Sequence, residues 1–129
     1  MDPKQLIERA VKAWQSGDET AFWKLLAEDV QYEVIGTTRA SGTYKGRKAF
    51  FREALIPMGE LLAEGAVPTD YDILAEGNRV VLMWTGRGVM LNGAPYNNSY
   101  CWVLKINGDQ ISSVKAYLDT ALVDALFSQ

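Results

Sequence analysis

Histidine is absent from this 129-residue sequence, and that absence removes a large share of ordinary enzyme chemistry. It excludes histidine-containing zinc sites, Ser-His-Asp and Cys-His nucleophile pairs, and the commonest general base near neutral pH. Any reaction must run on carboxylates, Tyr, Lys, Arg or water. A single cysteine, Cys101, excludes an internal disulfide and fits a reducing compartment. With no basic partner beside it in sequence, Cys101 is expected to be a buried, inert thiol. The N-terminus, MDPKQLIERAV, has no long apolar stretch and carries charges throughout, so it reads as neither a secretory signal nor a membrane span. A cytoplasmic protein with no membrane partner is the expectation, and the sequon Asn97-Asn98-Ser99 is then a chance match.

Runs of one charge are also missing. Thirteen basic and sixteen acidic residues are interspersed to a net charge of -3, so the footprint of a nucleic-acid binder is not there. The acidic pairs Glu28-Asp29 and Asp70-Tyr71-Asp72 fall at element ends and lack calcium-loop spacing. Neither a metal nor another cofactor is expected.

What is present suits one domain over residues 1–129, since 48% of the residues are hydrophobic, enough for a single core. Asp2-Pro3 is a helix start, an acceptor followed by a ring preset for the first helical position. Leu6, Ile7, Ala10, Val11 and Trp14 recur at helical spacing up to Ser16-Gly17. Asp18 opens a second helix carrying Phe22, Leu25 and Leu26. Val30 to Ile35 reads as a strand, and Gly36 to Gly46 as a loop or short hairpin. A third helix is predicted from Arg47 to Leu62, kinked or broken at Pro57. Strands follow at Asp70 to Glu76, Arg79 to Leu91, Tyr96 to Ile106 and Gln110 to Leu118, punctuated by hairpin signals at Gly77-Asn78, Asn92-Gly93 and Asn107-Gly108. Asp119-Thr120 caps a short final helix. Helices followed by a meander predict an α+β fold with an antiparallel sheet. The unalternating run Val80 to Trp84 needs cover on both faces, and a second copy is the expected cover for the outer one, giving a homodimer.

AEDVQYEVIG, GRKAF and the stretch NGAPYNNSYCWVLKINGDQISSVKAYLDTALV together resemble the SnoaL-like and ketosteroid-isomerase-like members of the NTF2-like superfamily. The resemblance spans essentially the whole chain. It implies a cone, with a strongly curved sheet wrapped around N-terminal helices and an internal pocket. It implies little about the reaction, because this scaffold hosts isomerases, cyclases, dehydratases, hydrolases and proteins without catalysis. The catalytic set of ketosteroid isomerases falls on Ala10, Val34 (Glu33 after a one-residue slip) and Trp102, none of which carries the family's group in the direct register. The second half is also similar to limonene-type epoxide hydrolases, whose water-holding tyrosine corresponds to Tyr32. Their other catalytic positions fall on Val34, Thr85, Arg87 and Ala116.

The resemblance also assigns directions to side chains. It implies that Tyr32, Val34, Thr85, Arg87, Val89, Asn98, Tyr100, Trp102, Ala116 and Leu118 face the pocket, with Trp84, Cys101, Lys115 and Tyr117 facing away; a bulge would exchange the two sets. Tyr32 and Arg87 are the catalytic candidates, for proton or water handling and for anion or oxyanion stabilisation. Asp119 is expected to be an N-cap rather than an acid catalyst. Three functions stay open. The first is a cofactor-independent enzyme acting on a hydrophobic or aromatic, acid-bearing small molecule; the others are a carrier of such a ligand and a dimeric scaffold with a filled cavity.

Overall fold

The fold was obtained as a computed structural model that describes all residues from Met1 to Gln129. Helix α1 (Pro3–Gln15) begins in a reciprocal cap: Asp2 Oδ1 accepts from Gln5 N at 2.8 Å and Gln5 Oε1 from Asp2 N at 3.2 Å. Its buried stripe is Ile7, Ala10, Val11 and Trp14. The second helix, α2 (Thr20–Trp23), is a single turn, shorter than predicted, and its N-cap is Glu19 rather than Asp18. After β1 (Leu26–Val34) and β2 (Gly42–Lys45), a continuous helical segment comprises α3 (Arg47–Phe50), a π-helical stretch (Phe51–Leu55) and α4 (Ile56–Gly59). Proline has no N–H and crowds the carbonyl four residues back, so the helix passes Pro57 only by widening just before it. Strands β3 (Leu62–Glu76), β4 (Arg79–Met90), β5 (Ser99–Asn107) and β6 (Gln110–Leu118) and helix α5 (Thr120–Phe127) complete the chain. Asp119 caps α5 through Ala121 N, as its position before Thr120 predicts.

The six strands form one open sheet in the order β2-β1-β6-β5-β4-β3, with every pair antiparallel except β1 and β6. The curvature comes from β3, whose pairing with β4 shifts register at three places between Leu62 and Asp70. Two glycines on the inner side of β4 permit that bend. A Cβ at Gly88 would lie 3.1 Å from the Glu64 carbonyl oxygen, and one at Gly86 would lie 2.8 Å from the Trp84 ring. Burial on the inner side draws on α1, α2, α3 and every strand except β2. No helix is long and apolar enough to cross a membrane. The outer face of the sheet keeps Val81, Met83, Cys101 and Val103 half-buried and Leu74 and Tyr117 exposed, so Cys101 is less enclosed than predicted.

Candidate functional site

The cavity is built on small and large residues lying in one row across the sheet. Val34 pairs with Ala116, Ala116 with Trp102, and Trp102 with Leu82. Ala116 is the low point of the row, and space opens above it. Leu118, Tyr100 and Trp84 form a parallel row. Trp14 of α1, Trp23 of α2 and Phe50, Phe51 and Leu55 of the helical segment roof the space, while Met58, Leu62, Tyr96 and Leu126 close one end. The volume is about 660 Å³, and 18 of its 24 lining residues are hydrophobic, the proportions of a small-molecule site.

Aromatic rings dominate the wall. Tyr32 stacks on Phe50 at 3.7 Å and Tyr100 on Trp84 at 4.0 Å. Trp84 meets Trp102 edge-on at 5.1 Å. The indole N–H groups of Trp84 and Trp102 are buried with no hydrogen-bond acceptor. Trp14 Nε1 instead donates to the Ala66 carbonyl at 3.2 Å.

Three hydroxyls bring polarity inside. Tyr32 is 2% exposed, and its hydroxyl makes no hydrogen bond to the protein while its ring lines the cavity. Tyr96 accepts from Asn98 Nδ2 at 3.2 Å. Burial pushes the Tyr32 pKa far above the ordinary phenol range; burial, then the neighbouring Tyr96 hydroxyl, pushes Tyr100 up as well. Both are therefore hydrogen-bond donors at any physiological pH.

A pKa raised by folding contributes stability that is present below the unfolded value of 10.0 and is lost as pH rises above it. Stability is thus expected to start falling near that pH, with a slope of about 1.4 kcal/mol per pH unit for each such tyrosine. Tyr32→Phe should make the slope shallower by about that amount, as read from denaturant melts taken at successive pH values. An unchanged slope would mean that Tyr32 ionises freely in the folded state.

Charge is confined to the mouth, where Glu19, Lys24 and Arg47 complete the lining. Glu19 Oε2 accepts from Trp23 Nε1 at 2.9 Å, and Arg47 Nη1 donates to the Leu26 carbonyl at 3.2 Å. No carboxylate lies inside, and no group of acids and thiols is placed to hold a metal ion.

The structure brings together Tyr32, Val34, Tyr100, Trp102, Ala116 and Leu118 in the cavity wall. It does not bring Thr85, Arg87 or Val89 there. Thr85 and Arg87 are exposed and Val89 half-buried, all on the outer face of β4, while Trp84 points inward. The reason is one residue of loop. A two-residue Asn92-Gly93 turn would have set Arg87 and Thr85 beside Asn98 and Tyr100 on one face. The observed loop has three residues, closed by Met90 N to Ala94 O at 2.8 Å with Gly93 at φ 88°, and it sets Trp84 opposite Tyr100. Asn98 is fully buried but braces the end of the cavity instead of lining it. Glu33, Lys115 and Tyr117 lie on the outer face, as the direct register implies.

Sequence reasoning missed Trp14, Trp23, Phe50, Tyr96 and Arg47 as lining residues. Trp14 and Phe50 sit in helical stripes that signal burial only, and burial does not distinguish a packed core from a cavity wall; Trp23 falls outside the face of Phe22, Leu25 and Leu26 read for the second helix.

A family model described as a SnoaL-like domain matches residues 7–114. No curated protein matches the chain. Among solved structures, a Xanthomonas campestris protein of unknown function with a cystatin-like fold is 23% identical, with a TM-score of 0.82 over 98% of each chain. A candidate polyketide cyclase of Pseudomonas putida is 20% identical, with a TM-score of 0.75 over 98% of each chain. TerC, co-crystallised with polyporic acid, is 17% identical, with a TM-score of 0.75 over 99% of this chain and all of its own. These likenesses show the NTF2-like cone fold.

Proposed function

This chain belongs to the SnoaL-like family, and on that premise we propose that it takes up a flat, conjugated, largely hydrophobic molecule and holds it by acceptor oxygens against Tyr32 and Tyr100. The observation that carries the reading is the open aromatic cavity of about 660 Å³ with the unpartnered Tyr32 hydroxyl in its wall. An open cavity favours a ligand-binding role over the scaffold with a filled interior. The absence of an inward carboxylate favours holding over proton abstraction. Burial keeps the Tyr32 and Tyr100 hydroxyls protonated, so they can donate hydrogen bonds to an acceptor oxygen, but the same raised pKa makes them poor proton donors, which again favours holding over proton transfer. TerC offers a parallel, since it was crystallised with polyporic acid.

All four tryptophans line the cavity, so their emission reports its occupancy. Titration with a panel of hydroxylated anthraquinones and flavonols is expected to give saturable, single-site quenching. Emission that stays constant, or that falls without saturating, would overturn the proposal.

The half-buried apolar side chains on the outer sheet face support a homodimer formed there. Sedimentation equilibrium should then give about twice the 14.3 kDa chain mass; a single-chain mass at all concentrations would exclude the dimer.

A further inference from the structure

The mouth of the cavity carries cationic groups with no anionic partner. Arg47 is half-buried there, and one nitrogen of its guanidinium is pinned by the Leu26 carbonyl at 3.2 Å. The rest of its donors have no acceptor in the protein. The only ion pair in the molecule is Arg52 with Glu53, at 4.0 Å, so no carboxylate neutralises Arg47 or the neighbouring Lys24. Glu19, the one acid on the rim, is held by Trp23 Nε1. A guanidinium partly withdrawn from water beside an apolar space, fixed in direction and unpaired, is an incomplete interaction.

We propose that Arg47 anchors the carboxylate of the ligand, so that the cavity selects flat aromatic or conjugated carboxylic acids over their neutral counterparts. The ligand's apolar body then lies over Ala116 among the tryptophans, and its charged end stays at the mouth, where solvation is partly kept. The planar fork of arginine suits a carboxylate, and charge-assisted hydrogen bonds at a partly desolvated site are stronger than neutral ones. The anion-binding role implied for Arg87 thereby passes to Arg47. The inference rests on the cavity's being a ligand site.

The test is calorimetric titration of biphenylcarboxylic acid and naphthoic acid, each against its primary carboxamide, into the wild type, Arg47→Met, Arg47→Lys and Lys24→Met. The wild type is expected to bind an acid about tenfold or more tighter than its amide. Arg47→Met should remove that preference while amide affinity stays within about twofold, which also shows that the variant is folded. Arg47→Lys should keep part of it, and Lys24→Met most of it. Equal binding of acid and amide by the wild type would overturn the anchor and leave the cavity reading standing. An acid preference that survives Arg47→Met would do the same. If no compound of either kind binds, both fail.

Discussion

Asn98→Ala is expected to cost about 3 kcal/mol of folding stability, read as a lowered denaturant midpoint at an unchanged slope. Asn98 is the one fully buried polar side chain, and each of its polar atoms is used twice. Its Oδ1 accepts from Ser99 N at 2.7 Å and from Asp119 N at 3.0 Å, while its Nδ2 donates to the Asp119 carbonyl and the Tyr96 hydroxyl, both at 3.2 Å. The side chain thus clamps the start of β5 to the junction of β6 and α5, at the end of the cavity that Tyr96 and Leu126 close. Alanine removes four hydrogen bonds at once, one of them buried and three part-buried, and leaves the Ser99 N–H and both backbone groups of Asp119 without this partner. A loss below about 1 kcal/mol would show that the clamp opens to solvent and that this end of the cone is not rigid.

Ala116→Leu is expected to weaken binding of any flat ligand by more than about tenfold while leaving stability unchanged or raising it by about 0.5–2 kcal/mol. Ala116 is 3% exposed, yet the space above it is empty. A leucine there projects into that space between Val34 and Trp102. In a close-packed core the same enlargement costs about 1–3 kcal/mol, because side chains must leave their rotamers. The sign of the stability change therefore separates a cavity from a core, independently of any ligand. Destabilisation by more than about 1 kcal/mol would mean that the row Val34-Ala116-Trp102 is already filled.

Elements with a strong local cause were legible in the sequence. Asp2-Pro3 and the stripe from Ile7 to Trp14 specify α1; Asp119-Thr120 specifies α5; the hairpin turns at Gly77-Asn78 and Asn107-Gly108 specify the meander. Elements decided by distant contacts were less so. Leu62 to Thr69 joins the sheet only because β3 curls across Gly86 and Gly88, and nothing local announces a strand there. The start of β1 at Leu26 depends on a parallel partner, Ile111, far along the chain.

The candidate site divided along the same line. Tyr32, Val34, Tyr100, Trp102, Ala116 and Leu118 share the inner face through the pairings of β1, β6 and β5, and the resemblance oriented them as the structure does. Thr85, Arg87 and Val89 depend on the length of one loop, and a single additional residue there exchanges the faces of β4. Arg47 enters the sequence only as the first residue of the third helix, and nothing local sets it apart from other helix-opening charges; the tertiary fold puts it at the cavity mouth.

The most direct measurement is an NMR titration of isotope-labelled protein with a hydroxylated anthraquinone that quenches tryptophan emission. The indole N–H signals of Trp14, Trp23, Trp84 and Trp102 should shift together, along with the backbone amides of Ala116 and Leu118, while those of Lys105 and Lys115 on the outer face stay fixed. Shifts confined to the outer face, with the four indole signals unmoved, would contradict a ligand site inside the cone.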